Sequence, residues 1–449
     1  MNSKAMVILR SIALRSIAGT AMAIALVAGA QTPDPSPATA SSQSPAPASA
    51  PAAQTPAPAA PADAAPTPLS TFVLTGPLQW LPPAVFDAGP FGKLSVNGII
   101  TGFAVGQNNP VPGDDTKEAT ISNGEIFIQK ADGKFQWYVQ AGEYTMPTLG
   151  SPYLDAQDTV KDFYGPVPVA FAKIATGKTT TWQIGALPTL IGAESTFTYQ
   201  NFDIERGLLW AQENAVNHGI QVNQTIGKYL TASLSWNDGY FSNRYSWLSG
   251  SLTFTKGPHS LVYDGAGNLG QTVFQNLATP VQNNGSLHTV IYTYTKGAWI
   301  VQPYFQYSNV PTNTNVGVFK GASTTGGALS VSRAFKNGFA LPGRFEYITS
   351  SGGTAEIAES DDFKARTEAT GIVVPAVNLL GYGAGSSAYT VTVTPTYQKG
   401  GFFFRADMAY VGVSNYTSGD VFGTLGKDSG QFRAVGEFGF IFGDNIVKK

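Results

Sequence analysis

Residues that commonly carry catalysis are sparse in this 449-residue chain. Cysteine is absent, which excludes a disulfide framework, a thiolate nucleophile and a Cys-ligated metal or iron–sulfur site. The three histidines, His218, His259 and His288, are scattered, and none lies in a Gly-x-Ser-x-Gly or His-x-x-x-His setting. Because a hydrolase needs a base beside a nucleophile or a water, an enzyme is the least favoured interpretation. We expect no catalytic residue, no metal site and no cofactor.

Charged side chains occur singly inside segments in which apolar and polar residues alternate. Arg405 and Asp407, for example, lie between Phe404 and Met408. A period of two is typical of a β-strand, because successive side chains point to opposite faces of the sheet. The charged residues that fall on the polar parity of such segments are Arg344, Glu346, Arg405, Asp407, Arg433 and Glu437.

The chain as a whole is poor in charged residues. Only 12% of residues are charged and 12% are aromatic, the net charge is −2, and glycine contributes 50 residues. Soluble domains carry about 25% charged residues. Many alternating segments reach the roughly 9–11 residues that a tilted strand needs to cross a bilayer. The near-neutral charge gives no reason to expect a nucleic-acid partner.

These patterns predict an all-β fold, a closed antiparallel transmembrane β-barrel of about sixteen strands with short periplasmic turns and long extracellular loops. Fourteen strands remain an alternative. A secreted sandwich or a solenoid is less favoured, because a polar sheet face in water usually carries Lys and Glu, and no fixed repeat is visible. After the first thirty residues, no run approaches the 18 apolar residues of a transmembrane helix.

The six charged residues of the alternating segments are predicted to line the barrel interior. An Arg or Lys facing the middle of a bilayer costs about 2–4 kcal/mol, so these side chains should point inward. One interpretation is a pore wall of mixed sign, which would give weak ion selectivity. The other is that opposite charges only pair and fill the interior.

The segment 188–218 does not alternate and is rich in polar residues. One interpretation is that it folds into the barrel as a constriction loop, with Glu194, Asp203, Glu205 and Arg206 as candidate constriction residues. The other, slightly favoured by the sequence, is a surface loop with a short helix over residues 203–215.

The first 68 residues differ from the rest. Residues 1–30 read as a cleaved signal peptide, with Lys4, Arg10 and Arg15 before a short apolar run and Ala28-Gly29-Ala30 as the cleavage site. Residues 31–68 are rich in Pro and Ala and are expected to be a disordered periplasmic linker, either a tether or inert. Residues 69–449 would form the barrel.

The region 183–240 resembles the putative β-barrel porin-2, or OmpL-like, outer-membrane proteins. The motifs that carry the resemblance are Gly185-x-x-Pro188 with Gly192 and Glu194, Asn201-Phe202, Arg206-Gly207-Leu208, His218-Gly219-Ile220 and Ser235-Trp236-Asn237-Asp238-Gly239-Tyr240. The resemblance implies a signal peptide, a barrel reaching the C-terminus and passive solute diffusion. One departure is that Phe442 is followed by residues 443–449, whereas such barrels often end on an aromatic residue.

The favoured function is an outer-membrane porin of a Gram-negative bacterium, passing small hydrophilic solutes and ions through a water-filled barrel. The alternative is a closed structural or adhesive barrel that displays long loops. The expected partners are outer-membrane lipid, small hydrophilic solutes and the barrel assembly machinery. A homotrimer is expected only by analogy with other sixteen-stranded porins.

Overall fold

The computed structural model describes residues 77–444, apart from 273–280, 317, 319 and 353–376. The predicted signal peptide and linker lie outside the described residues. Eighteen β-strands account for most of this described part. They are β1 (Ala84–Asp87), β2 (Lys93–Gln107), β3 (Lys117–Lys130), β4 (Phe135–Tyr144), β5 (Val169–Ala175), β6 (Thr180–Pro188), β7 (Val216–Ile226), β8 (Leu230–Asn237), β9 (Trp247–Lys256), β10 (His259–Asn268), β11 (Ser286–Lys296), β12 (Trp299–Val310), β13 (Ala322–Ala334), β14 (Phe339–Ser350), β15 (Ser387–Val393), β16 (Thr396–Lys399), β17 (Phe402–Ser414) and β18 (Gly430–Phe442).

The strands form one closed antiparallel ring. Each strand from β2 onward pairs with its neighbour in sequence, and β18 pairs with β2 to close the barrel. Strands β15 and β16 both pair with β14 and β17, so they share one position that is interrupted at Thr394 and Pro395. Strand β1 pairs only with β2 and lies outside the ring. The predicted sixteen-stranded barrel is therefore confirmed, and the sandwich and solenoid alternatives are wrong.

The connections at the two ends of the barrel differ in length. At one end, the short-turn end, strands are joined by tight turns such as 257–258, where Gly257 has a φ of +60° that glycine tolerates. At the other, the loop end, connections such as 145–168 and 189–215 are long. In outer-membrane barrels the short turns face the periplasm.

Short helices occur in the connections. The α-helix α1 (Ala156–Asp162) is capped by Asp155, whose side chain accepts a hydrogen bond from the backbone N–H of Asp158 at 2.8 Å. The 3-10 helices span Gly89–Phe91, Thr198–Gln200, Trp210–Gln212, Val281–Asn284, Thr314–Val316 and Lys336–Gly338. Among the described residues, no helix is both long and apolar enough to cross a bilayer.

The outer face of the ring is apolar, as the alternation predicted. Large side chains exposed there include Leu234, Leu252, Phe305, Phe345, Phe404, Met408 and Phe438. A closed ring leaves no strand edge unpaired, so this face can meet hydrocarbon without exposing backbone polar groups. The scarcity of charge and the alternation thus have one cause.

The packed core lies inside the barrel rather than between layers. Phe197, Tyr199 and Trp210, from the connection 189–215, are buried together with Phe127 and Phe403 of the inner wall. The interior is therefore partly filled by the chain's own loop.

Candidate functional site

Residues 189–215 connect β6 to β7 and fold into the barrel, and we call them the inward loop. The backbone carbonyls of Thr198 and Asn201 accept hydrogen bonds from Arg405 of β17, and the N–H of Leu208 donates to Glu346 of β14. These contacts place the loop against the inner wall. They favour the inward interpretation over the surface loop, and the short helix of the surface-loop interpretation, over 203–215, is only the 3-10 turn Trp210–Gln212.

All six predicted wall residues lie on the inner face of one part of the ring. That part, the charged sector, comprises the inner faces of β14–β18, β2 and β3. The exposed fractions of the six residues are only 0–4%. The inward loop docks directly on them, so they contact protein and hardly meet water. Their role in lining a conducting path stays a prediction.

Arg405 holds the first turn of the inward loop. Its Nε donates to Glu437 Oε2 at 3.1 Å, while its terminal nitrogens donate to the carbonyls of Thr198 (2.9 Å) and Asn201 (3.2 Å). Glu437 Oε1 also accepts from the Thr198 hydroxyl at 2.8 Å. A fully desolvated ion pair is stable only when its remaining donors and acceptors find partners, and here the loop backbone supplies them.

Arg344 binds the carboxylates of the inward loop. Its Nη1 contacts Glu194 and lies 3.4 Å from Asp203 Oδ2. Its Nη2 donates to the carbonyl of Glu205 at 3.1 Å, and its Nε lies 3.4 Å from Glu346 Oε2. One wall guanidinium thus contacts three acids, two of them on the loop.

Arg433 joins the inward loop to a second connection. Its Nη1 donates to Glu205 Oε1 at 2.8 Å and to the carbonyl of Thr148 at 3.2 Å. Its Nη2 donates to the carbonyl of Ser151 at 2.9 Å, and its Nε to Gln107 Oε1 at 2.9 Å. The planar, multiply donating guanidinium suits this bridging role better than an ammonium would.

The wall carboxylates bind backbone N–H groups of the loop. Asp407 Oδ2 accepts from the N–H groups of Ile204 and Glu205, both at 2.8 Å. The Thr394 hydroxyl, at the interruption between β15 and β16, lies 2.6 Å from both Asp407 Oδ1 and Asp203 Oδ1. Backbone and side chains of the loop are therefore both fixed by the wall.

Gly207 permits the closest approach between loop and wall. The carboxylate of Glu346 accepts from the N–H of Leu208 at 2.9 Å and from the Thr390 hydroxyl at 3.0 Å. A Cβ at Gly207 would overlap that carboxylate. The Arg206-Gly207-Leu208 motif is therefore explained by a contact that only glycine allows.

Arg206 differs from the other three candidate constriction residues. It is fully buried and donates to carbonyls, including Pro147 at 3.3 Å and Ser195 at 3.4 Å. Its guanidinium also lies 5.4 Å from the ring centre of Trp210. Whereas Glu194, Asp203 and Glu205 meet wall arginines, Arg206 fixes the internal shape of the loop.

The other motifs of region 183–240 anchor the end of the loop. The Tyr240 hydroxyl donates to the carbonyl of Gln212 at 2.7 Å, and Asn214 Nδ2 donates to the carbonyl of Gly239 at 3.3 Å. His218 Nδ1 lies 3.0 Å from Asp238 Oδ2. These contacts therefore hold the end of the inward loop and the start of β7 against the residues that follow β8.

Two further carboxylates of the site were not among the predicted residues. Glu125 of β3 accepts from the Tyr199 hydroxyl at 2.9 Å and from Gln140 Nε2 at 2.6 Å. Glu213 of the loop accepts from the Tyr304 hydroxyl and from Gln306 Nε2. Glu125 lies on the polar parity of its strand, so the alternation rule could have found it. No local pattern marks Glu213.

The opposite part of the ring carries a different lining. The hydroxyl sector comprises the inner faces of β8–β13, where Asp264 is the one acid or base among the described inner-facing residues. Near the short-turn end its half-buried lining residues are Thr231, Thr253, Thr255, Ser260, Thr293, Gln302 and Ser330. At the same end of the charged sector, Asn97, Phe127, Thr396, Phe403 and Ile441 are 0–1% exposed. At the short-turn end, the lining of the hydroxyl sector is therefore less buried than that of the charged sector.

The site can therefore restrict passage by geometry and offer neutral hydrogen-bonding groups to a solute. Among the described residues, no cluster of His, Asp and Glu could hold a metal ion. His259 and His288 lie on the outer face, and their Nδ1 atoms lie 2.6 Å from the Tyr292 hydroxyl and 3.0 Å from the Tyr263 hydroxyl. The two outward histidines thus pair with phenols.

Comparisons with solved structures give the same fold. An anion-selective porin from Comamonas acidovorans superposes with a TM-score of 0.50 at 11% identity, covering 78% of this chain and 99% of that one. The outer membrane channel DcaP of Acinetobacter baumannii also gives a TM-score of 0.50 at 11% identity, with 81% and 100% covered. No curated protein sequence matches the chain.

The family comparison is more direct. The family model described as "Putative beta-barrel porin-2, OmpL-like" matches residues 93–442, which run from the first residue of β2 to the last of β18. The match covers the whole closed ring and the inward loop. The chain thus belongs to this family and is a porin of the bacterial outer membrane, with outer-membrane lipid around it and small solutes as its cargo.

Proposed function

We propose that this porin passes small hydrophilic solutes and ions by passive diffusion along its hydroxyl sector. The observation that carries the proposal is the half-buried lining of Thr, Ser and Gln near the short-turn end of β8–β13. Such side chains replace part of a solute's hydration shell without binding it tightly. Selectivity by size, with weak preference between cations and anions, follows from a lining with little charge.

The charged sector and the inward loop form the fixed side of the constriction in this proposal. Glu194, Asp203 and Glu205 lie against Arg344 and Arg433, so two positive charges offset part of their three negative charges. Partly offset charges exert a weaker field on a passing ion than free ones. The six wall residues then set the width of the path rather than its preference between cations and anions.

Single-channel recording in a planar bilayer tests the proposal. The purified protein, shown to be folded by its heat-modifiable migration on gels, should give stable conductance steps. The ratio of cation to anion permeability should be close to one. Block by added sugars would narrow the solute class to a specific channel. Folded protein without conductance would contradict diffusion and support the closed, loop-displaying barrel.

A placed charge tests the route. Gln302→Lys puts a cation on the hydroxyl sector and should shift the reversal potential toward anions. Thr179→Lys adds the same charge to the exposed turn between β5 and β6, and serves as the matched control. Equal shifts from the wall and turn variants would show that ions do not follow the hydroxyl sector.

We propose further that the chain is not an enzyme. Within the described part of the chain, only His218 of the three histidines has an acid partner, Asp238, and that carboxylate also accepts the backbone N–H groups of His218 (2.7 Å) and Asn243 (3.0 Å). The Asp238 carboxylate therefore serves to cap nearby backbone N–H groups. Unchanged conductance and no ester or peptide hydrolysis with His218→Ala or wild-type protein would agree with this proposal. Hydrolysis that His218→Ala abolishes would overturn it.

Export and assembly complete the proposal. Residues 1–30 would be cleaved as a signal peptide, 31–68 would be a periplasmic linker, the barrel assembly machinery would insert the chain, and the mature form would be a homotrimer. N-terminal sequencing of the outer-membrane form should begin at Gln31. Native mass spectrometry should give three copies per particle, and a monomer would refute the trimer.

A further inference from the structure

A short segment before the first strand lies inside the barrel at the short-turn end. Residues 77–82 precede β1, and Leu78 within them is only 2% exposed. Leu78 belongs to the buried cluster that contains Phe403 and Ile441 of the inner wall. We call residues 77–82 the floor segment, because they lie between the charged sector and the short-turn mouth.

Wall residues hold the floor segment through its backbone. The side-chain amide of Gln398 on β16 makes two bonds to Gln79: its Oε1 accepts from the backbone N–H and its Nε2 donates to the carbonyl, both at 2.7 Å. Asn97 of β2 donates to the carbonyl of Leu81 at 3.0 Å. The N–H of Asp444, just after β18, donates to the carbonyl of Pro82 at 2.7 Å. The segment therefore spans the sector from β16 to β2.

Trp80 connects the floor segment to the inward loop. Its ring meets Phe127 of the wall edge to face at 5.3 Å and Tyr199 of the loop at 5.8 Å. Tyr199 in turn stacks on Phe197, with centroids 5.8 Å apart and planes 13° from parallel. Such ring pairs add about 0.5–1.5 kcal/mol each beyond the area they bury. The loop thus rests on the floor segment as well as on the wall.

We propose that the floor segment is a second determinant of pore selectivity, which closes the short-turn mouth of the charged sector and positions the inward loop through the contact of Trp80 with Tyr199. Solutes are then confined to the hydroxyl sector by the floor segment at the short-turn end as well as by the inward loop. The family match begins at residue 93, so the floor segment lies outside the matched region. Only the conductance test of the floor segment rests on the proposed diffusion function.

The closure can be tested without any conductance. Because the chain has no cysteine, a single introduced thiol reports access to one position. Ile441 is 0% exposed and is covered by the floor segment. Ile441→Cys should therefore react slowly with a small charged thiosulfonate reagent. Combining it with Leu78→Ala and Trp80→Ala should speed the reaction several-fold. Ser330→Cys, on the hydroxyl sector, should react quickly and equally in both backgrounds.

Conductance tests the effect on selectivity. Trp80→Ala should raise the single-channel conductance and admit larger neutral sugars, because it opens the mouth below the loop. Phe91→Ala is the matched control, since that ring lies in the same N-terminal region but is 73% exposed. Trp80→Phe should restore most of the wild-type conductance. If Trp80→Ala does not fold, Gln398→Ala, which releases the backbone of Gln79, should act in the same direction.

The outcomes separate the two proposals. Folded floor-segment variants with unchanged thiol reactivity and unchanged conductance would overturn the closure. If wild-type protein fails to conduct but Ile441→Cys still becomes reactive on loss of Leu78 and Trp80, the diffusion function fails and the closure stands.

Discussion

The charged sector and the hydroxyl sector face each other across the same barrel but are built differently. In the charged sector, Arg405 and Glu437 are fully buried and hold the inward loop. In the hydroxyl sector, Thr253 and Gln302 remain half-buried near the short-turn end. Both sectors present polar side chains to the interior, and the inward loop contacts both, since its Glu213 binds Tyr304 and Gln306 of the hydroxyl sector. The two sectors differ near the short-turn end, where the charged sector is buried and the hydroxyl sector is half-buried.

The difference shows what strong charges do inside this barrel. An arginine with a nearby carboxylate can fix a loop backbone, because ionic hydrogen bonds are stronger than neutral ones. Hydroxyl and amide side chains make weaker bonds that water and solutes can exchange. Concentrating the charges in one sector therefore fixes the loop there and leaves the short-turn end of the hydroxyl sector less buried.

Removing one docking arginine should give the largest effect. Arg405→Met leaves Glu437 buried without its cation, and breaking a buried pair costs about 3–5 kcal/mol. Denaturant unfolding of the purified barrel should show this loss. The double variant Arg405→Met, Glu437→Gln should regain part of it.

An outer-face arginine is the control for that prediction. The guanidinium of Arg333 lies 5.0 Å from the ring centre of Trp299 in an exposed position. Arg333→Met should cost no more than about 1 kcal/mol. Equal losses at Arg333 and Arg405 would show that docking adds no stability to the charged sector.

Crowding the loop contact should give an intermediate effect. Gly207→Ala forces the Glu346 carboxylate away from the N–H of Leu208, and overpacking of this kind costs about 1–3 kcal/mol. The same variant should increase current noise, because the loop is less firmly docked. Gly436→Ala is the control, since a Cβ there meets nothing within 4 Å. Stability of Gly207→Ala equal to that control would contradict the close contact.

Changing the hydroxyl sector should give the smallest effect on stability. Ser330→Ala and Thr293→Val remove hydroxyls that line the open side, and we expect changes within about 0.5 kcal/mol. Their conductance should stay near the wild-type value, because the volume change is small. A loss comparable to that of Arg405→Met would mean that the hydroxyl sector is also docked against protein.

The sequence predicted the fold well, because each strand carries its own signal. Alternation assigns Phe404 and Met408 to the outer face and Arg405 to the inner face without knowledge of any neighbour. The strand count and the closed ring follow from the number and length of such segments. The non-alternating segment 188–218 located the loop but overran the strands, because Pro188 ends β6 and residues 216–218 begin β7.

The docking of the loop could not be predicted, because its partners are distant in sequence. Glu194 and Arg344 are separated by 150 positions, and no local pattern relates them. The same holds for Trp80 and Tyr199, which meet only after the ring has closed. Alternation gave the direction of the wall charges but could not show that a loop would cover them.

The pairing of the inward loop with β17 and β18 has a consequence for the order of assembly. The loop is synthesised long before Arg405 and Arg433, and Arg433 lies on the strand that seals the ring against β2. A chain that lacks β18 lacks Arg433 and Glu437, so Glu205 and the Thr198 hydroxyl lose their partners on that strand while the contacts with β14 and β17 remain. The strand that seals the ring thus also completes the docking of the loop.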